Sequence, residues 1–334
     1  MSVHVLKPGV LSTVQDRGRV GGASFGIGHA GPMDEVAFRL ANALVGNDNL
    51  AALEISVIGP RLRFDVDATI ALTGAPFHVS IDGEPMAIWQ PVFAKAGSVV
   101  DIGTTRRGTR AYLAVAGGFD LAPTLGSRAT DIHAGLGPLD GRPLSVGDVL
   151  KITRPAHETV VQTRRRERGE ASAHPKAWSL DPRPWFDEDA GHPIRLIRGT
   201  HHSALDDAAL TSLYQCDFRI SVDSNRVGYR LDGAHLHFTA PIECVSEAVA
   251  FGTVQLPPAG QPIVLMAEHP TTGGYPRIGQ VAAVDFPRLA QRKPGDGVRF
   301  REIDRDDAQR RYLARERELD RFVLTIAERL ATHE

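Results

Sequence analysis

Along most of the chain, apolar and polar positions alternate in short runs broken by turn residues. In the first half the alternation predicts strands over Ser2–Leu6, Arg61–Phe64, Thr69–Leu72, His78–Ile81, Ala87–Ala94, Val99–Ile102 and Arg110–Val115. Asp82-Gly83 reads as a tight hairpin turn after the His78–Ile81 run. One stretch has the other period. Val36, Leu40, Ala41, Leu44 and Val45 recur at helical spacing, Asp34 stands where an N-cap belongs, and Gly46 follows the last turn, so a helix is predicted over Asp34–Val45. The second half returns to strand rhythm at Ile194–Ile197, Phe218–Val222, His235–Phe238, Val249–Gln255 and Ile263–Ala267. The chain ends in a predicted helix over Asp304–His333, with Leu319, Phe322, Val323, Ile326 and Leu330 on one face and charges opposite.

Short, evenly spaced strands argue for antiparallel barrels or sandwiches. Composition agrees: Gly (33) and Pro (22) are abundant and aromatic residues make up only 6%, which suits many turns better than long helices. Residues 156–192 are rich in Arg, Glu, Pro, Asp and His with no apolar period, and read as a connection. The expected organisation is therefore a β subdomain over 1–155, a linker over 156–192, a second β subdomain over 193–301 and a helix over 302–334.

The formal net charge is -2. That balance implies no basic face, so nucleic acid is not an expected partner. Arg164, Arg165, Arg166 and Arg168 form the one basic cluster and read as a solvated loop. Cys216 and Cys244 are too few for a disulfide framework and sit among apolar residues, so both are expected to be buried thiols. No run approaches the roughly 18 apolar residues of a membrane span. Met1–Gly9 lacks the features of a signal peptide. A cytoplasmic protein without a membrane segment is expected.

Several motifs suggest chemistry that their surroundings do not support. Gly22-Ala23-Ser24-Phe25-Gly26 fits G-x-S-x-G, but no strand leads into the serine and no helix follows it. Gly26–Gly31 fits G-x-G-x-x-G, but no apolar strand precedes it. No G-x-x-x-x-G-K-[ST] occurs, which excludes a P-loop. His201-His202 and His235-Leu236-His237 lack a third ligand at metal spacing and read as solvent-facing, so no metal site is expected. More informative is the glycine-rich loop that ends at Asp34, because a helix start offers free N–H groups. Gln15-Asp16-Arg17 lies just upstream and adds an amide, a carboxylate and a guanidinium. In the second half, Asp223–Leu231 is a dense polar turn that feeds a strand. Glu268-His269-Pro270-Thr271-Thr272-Gly273-Gly274-Tyr275-Pro276 combines hydroxyl donors with two glycines, which let a backbone approach a ligand closely.

Taken in order, the motifs form a pattern. Gly9–Gly18, Gly31-Pro32-Met33-Asp34, Ala41–Asn47, Leu53-Glu54, Leu72–Ala75, Tyr112–Gly118, Leu125–Arg128, Ser224–Leu231, Gly252–Pro257 and Thr271–Pro276 resemble the allophanate hydrolase subunit 2 (biotin-dependent carboxyltransferase) family. Two positions depart from the pattern of many relatives: Glu268 where Asp is expected, and Val227 where Met is expected. The resemblance implies a mainly β fold of two cyclophilin-like β-barrel subdomains with a few helices. It also implies a role beside two other 5-oxoprolinase components, opening the cyclic amide 5-oxoproline with ATP and Mg. One of these is a B-type protein of the allophanate hydrolase subunit 1 family, and the other is an A-type protein. An unstrained lactam resists water, so ATP would activate its oxygen before water attacks. Mapped on the matching motifs, Asp16, Arg17, Asp34 and Glu54 are the catalytic candidates. Gln15, Met33, Asn225, Arg226, Tyr229, Gln255, Thr271, Thr272, Gly273, Gly274 and Tyr275 are the substrate-binding candidates, with Arg17 and Arg226 as anion holders. Two other roles exist within the resemblance. One is a carboxyltransferase component of a urea carboxylase or allophanate hydrolase system, its biotin carried by a partner because no Ala-Met-Lys-Met anchor is present. The other is a regulator that binds a subunit-1-like kinase inhibitor without catalysis.

Overall fold

The structure is a computed structural model that describes residues 1–154, 178–186 and 191–331. The arginine cluster at 164–168 and much of the predicted linker lie outside these residues, as does the end of the last predicted helix. The chain divides into two compact units. The first comprises residues 1–18, 34–186 and 319–334, and the second residues 19–33 and 187–318.

The first unit contains two sheets. One runs in the order Val149–Lys151, Ser2–Lys7, Arg61–Phe64, Val99–Thr105, Phe77–Ile81 and Glu84–Pro85. The other runs Leu11–Gln15, Ala52–Ser56, Arg110–Val115, Ala68–Gly74 and Val92–Ala94. The chain passes repeatedly from one sheet to the other, among other places at the corners Pro8-Gly9, Gly59-Pro60, Ala75-Pro76 and Arg107-Gly108. Strands that bend from sheet to sheet in this way enclose a barrel core. Glycine is required at two of the corners. Gly9 has φ 76°, and a β-carbon on it would collide with the Ile58 carbonyl oxygen; a β-carbon on Gly59 would collide with the Ile102 side chain. The Asp82-Gly83 hairpin forms as predicted, both residues having positive φ (53° and 89°), as a primed turn needs.

The helix Glu35–Leu44 lies on the five-stranded sheet, capped by the Asp34 carboxylate, which accepts from the Ala37 N–H at 3.0 Å. Its apolar residues join the barrel core together with Leu319 and Ile326 of the terminal helix, Arg305–Ala331. Part of the predicted linker also folds here. Leu180, Trp185 and Phe186 are buried, with the Trp185 ring edge-on to Phe322 at 5.0 Å. Three large apolar side chains in an otherwise polar stretch are enough to anchor it.

The second unit is built on one eight-stranded sheet: Gly297–Val298, Phe218–Ile220, Gly228–Asp232, Ile263–Leu265, Thr253–Gln255, Arg277–Val281, Ile194–Arg198 and Phe300–Glu302. Its first and last strands in this order are separated in sequence by Arg299 alone. One residue cannot cross a sheet, so the two edges lie side by side and the sheet curls into a barrel. Only the last pairing, Ile194–Arg198 with Phe300–Glu302, is parallel. The barrel interior is a second apolar core, which includes Met33. The protein is thus mainly β, as the short-strand rhythm predicts.

The differences from expectation have local causes. Ala87–Ala94 shrinks to Val92–Ala94 because Trp89 adopts φ 60° ahead of Pro91. Val249–Gln255 shrinks to Thr253–Gln255 because Gly252 turns the chain at φ 83°. His235–Phe238 forms no strand, only an isolated bridge from Phe238 to Leu205. Asp207–Gln215 is a helix, capped by Asp206, where the strand rhythm gave no such expectation. Both cysteines are half-buried rather than buried. Among the described residues, no helix is long and apolar enough to cross a membrane.

Candidate functional site

In the first unit the strand register sets a polar row across four adjacent strands. Thr13 lies opposite Glu54, Glu54 opposite Tyr112, and Tyr112 opposite Thr73. Cross-strand partners share a face, and this row meets the start of the helix Glu35–Leu44. The Thr73 hydroxyl donates to the Ala37 carbonyl at 2.6 Å. The Tyr112 hydroxyl donates to Glu54 Oε2 at 2.7 Å and accepts from the Asp34 N–H at 2.8 Å. Arg110, two residues before Tyr112 and on the same face, places its Nε 3.7 Å from Glu54 Oε1. Asp34, Glu54 and Tyr112 are each almost fully buried. Burial pushes the Tyr112 phenol well above its ordinary value, and the neighbouring Glu54 and Asp34 carboxylates push it further. The phenol therefore stays protonated and works as a fixed donor.

Gln15 ends the outer strand of this row, Leu11–Gln15, and Asp16 follows it. Gln15 Nε2 donates to Thr13 Oγ1 and to the Thr130 carbonyl, both at 3.0 Å, and its Oε1 is buried without a partner. The Asp16 carboxylate accepts from Gly18 N–H at 2.9 Å and from the Ser127 hydroxyl and Arg128 N–H at 2.5 Å each. Asp16 thereby pins the Leu125–Arg128 turn. Arg17 is exposed.

The second unit carries the other candidates. Arg226 precedes the strand Gly228–Asp232, and Glu268 follows the neighbouring strand Ile263–Leu265. The backbone ladder continues past the strands, with Glu268 N–H donating to the Arg226 carbonyl at 2.8 Å. This brings the two side chains together. Arg226 Nε donates to Glu268 Oε1 at 2.5 Å, and Arg226 Nη2 donates to the Gly31 carbonyl at 2.7 Å. The pair is 3% and 5% exposed, so the guanidinium is neutralised where it stands and holds the glycine-rich loop by its backbone. His269 lies beside it, its pKa lowered by burial and by nearby His29.

Around this pair the remaining candidates separate. Met33 is core, and the Tyr229 hydroxyl donates to the Arg292 carbonyl at 3.2 Å. Asn225 Oδ1 accepts from the Val227 N–H at 2.8 Å and closes its own turn. Thr272–Gly273 pairs with Glu247–Ala248 in a separate two-stranded flap, from which Thr272, Gly274 and Tyr275 are exposed. Gln255 is 4% exposed, and its Nε2 is buried without an acceptor. It lies against Gly273, where a β-carbon would collide with that nitrogen. Of the histidines read as solvent-facing, His202 is instead buried, in contact with the Tyr214 hydroxyl at 2.8 Å.

Sequence reasoning passed over Arg110, Tyr112, Ser127 and Arg128 as functional positions. Tyr112, Ser127 and Arg128 fall in motifs that carried the resemblance, and this was the available signal. Glu268 was noted as a departure, yet its pairing with Arg226 spans 42 residues and no spacing rule reaches across that distance.

The chain is similar to known proteins over most of its length. Residues 25–302 match the family described as "Carboxyltransferase domain, subdomain A and B". The chain is 36% identical to the C subunit of 5-oxoprolinase from Escherichia coli over 92% of this chain and 93% of that one, and 34% identical over the same shares to the protein of that name in Haemophilus influenzae. It is similar to the crystal structure of the Kluyveromyces lactis urea carboxylase, with a TM-score of 0.85 and 26% identity over 96% of this chain but 29% of that one. A "Putative urea carboxylase" of Emericella nidulans is 34% identical over 98% of this chain and 26% of its own length. The two barrels, the motifs across both units and these matches together show that the chain belongs to the carboxyltransferase-domain family with subdomains A and B.

Proposed function

We propose that this protein is the C-type component of a cytoplasmic, ATP-dependent 5-oxoprolinase complex that hydrolyses the cyclic amide of 5-oxoproline to glutamate. One observation carries the reading. The match to the 5-oxoprolinase C subunit runs through 93% of that relative, whereas the fungal urea carboxylase is matched over 26% of its length. The chain thus spans nearly the whole of the 5-oxoprolinase C subunit and about a quarter of the fungal urea carboxylase.

Two of the candidate anion positions do not fit a nucleoside triphosphate. Arg226 is already balanced by Glu268, and the free N–H groups at the start of the helix Glu35–Leu44 face the Asp34 carboxylate. ATP and its Mg are therefore assigned to the partner proteins, and this chain's residues bind and orient the amide. The flap hydroxyls of Thr271 and Thr272 and the Gln255 amide supply donors for a small polar ring. The Arg226–Glu268 pair fixes the loop at Gly31, and the Tyr112–Glu54 pair fixes the backbone at Asp34. Neither pair touches substrate in this scheme.

The test is reconstitution with the A-type and B-type partners, measuring ADP and glutamate with and without 5-oxoproline. ADP and glutamate formed together, only when 5-oxoproline and all partners are present, is the expected result. Stimulation by urea and not by 5-oxoproline would move the protein to the carboxyltransferase reading, with biotin on a partner. A stable complex that no amide stimulates would make it a binding regulator.

A further inference from the structure

We propose that Gln255 and the small flap over it form a gated subsite for an sp² oxygen, carbonyl or carboxylate, of a small cyclic amide. The proposal deepens the reading above and takes only the ligand's identity from it. Gln255 ends the strand Thr253–Gln255 and is 4% exposed, yet its Nε2 has no acceptor. A buried donor without a partner is an unfavourable arrangement that native structures seldom keep without a use.

The group that covers this donor is unusually light. The flap consists of Glu247–Ala248 and Thr272–Gly273, joined by two residue pairs and belonging to no larger sheet. Its surroundings are exposed, Val245 to 85% and Tyr275 to 47%. Its ties are few. Val249 N–H donates to the Thr271 carbonyl at 3.1 Å, and the Arg277 guanidinium reaches the Glu247 carboxylate and, at 3.3 Å, the Ala248 carbonyl. Glycine at 273 lets the flap close directly on the amide, since a β-carbon there would push the Gln255 Nε2 aside. Closed, the flap leaves the donor unsatisfied. Lifted, it exposes a neutral N–H, which suits a carbonyl or carboxylate oxygen. A ligand that supplies this oxygen binds the lifted state better and shifts the flap towards it.

The experiment replaces Gln255 with methionine, which keeps length and apolar bulk and removes the donor. In the free chain, Gln255→Met should slow amide exchange at Val249 about tenfold, because the closed flap no longer buries an unpaired donor. In the wild-type chain, 5-oxoproline should speed that exchange, and in Gln255→Met it should not. In the reconstituted complex the same variant should raise KM for 5-oxoproline about tenfold while kcat changes far less. A purely structural glutamine would give the reverse in the free chain, with faster exchange on substitution. Competition by 2-pyrrolidinone, which has only the ring carbonyl, and by proline, which has only the carboxylate, identifies the oxygen read. Unchanged or faster Val249 exchange in Gln255→Met, or an unchanged KM, overturns the subsite. If the complex turns over 5-oxoproline and the variant behaves as wild type, the subsite fails and the proposed function stands. If the complex is inactive but 2-pyrrolidinone speeds Val249 exchange only when Gln255 is present, the subsite stands and the assigned substrate fails.

Discussion

At the scale of single residues, the polar groups that look most chemical are held by other protein groups. Tyr112 is the clearest case, since its hydroxyl satisfies a carboxylate and a helix N–H in one place. Tyr112→Phe keeps the ring and removes the hydroxyl that bonds both partners in the core, so it should cost about 1–3 kcal/mol, read as a lower urea midpoint at unchanged slope. Glu268→Ala should cost about 3–5 kcal/mol because it removes the carboxylate that pairs with the buried Arg226 guanidinium. Glu268→Asp, the residue expected there in many relatives, should cost much less. Acid sensitivity belongs to this scale too. His202 has its pKa lowered from 6.5 chiefly by burial and then by Arg198, with Glu302 acting the other way, and His269 is lowered by burial and His29. As pH falls through 6.5 the unfolded chain takes up these protons before the folded one does. Their stability contribution is therefore complete above that pH and is lost below it. Urea unfolding followed from neutral to mildly acidic pH should show this loss, and His202→Gln should flatten its share; an unaltered pH profile in the variant would rule His202 out. The resemblance picked its candidates by motif, and motifs are local in sequence. It could not show which side chains are consumed by structure. That depends on partners such as Ser127 for Asp16 and Glu268 for Arg226, which lie 111 and 42 residues away.

At the scale of elements, the alternating pattern located about half of the strands, most clearly those such as Arg61–Phe64 with one face in the core and one face out. It failed where a single backbone conformation overrode composition, as at Trp89 and Gly252. It also passed over the helix Asp207–Gln215, which buries only Ala209 and Leu213 and so leaves a weak periodic trace. The barrel corners make a sharper claim about glycine. Gly9→Ala combines positive φ with a collision against the Ile58 carbonyl, whereas Gly97 has φ 87° and open space around its missing side chain. Gly97→Ala should cost only about 1–2 kcal/mol for the left-handed conformation. Gly9→Ala should cost that plus roughly 1–3 kcal/mol of overpacking. Equal midpoints for the two variants in urea would mean that the corner relaxes freely and that the strand switch does not depend on close approach at Gly9.

At the scale of the whole molecule, the chain order and the compact units do not coincide. Residues 19–33 group with the second unit, and residues 319–334 group with the first. No linear reading of periodicity shows this, since the helix Arg305–Ala331 looks uniform along its length. The pattern of its apolar residues does carry the information in part. Leu319 and Ile326 are buried in the first core, with Phe322, Val323 and Leu330 packed against it, while Arg315 donates to the Ala283 and Val284 carbonyls of the second unit. A chain ending after Glu318 should therefore lose burial from the first unit alone. Leu319 and Ile326 are each worth about 1.5–3 kcal/mol when fully buried, so the first barrel should weaken by roughly 3–6 kcal/mol and the second should keep its stability. Hydrogen exchange resolves the two separately. Amides of Arg110–Val115 should exchange faster in the truncated chain, and those of Gly228–Asp232 should not. Equal loss in both strands would mean that the two barrels unfold as one cooperative body, and the division of the helix between them would then have no thermodynamic meaning.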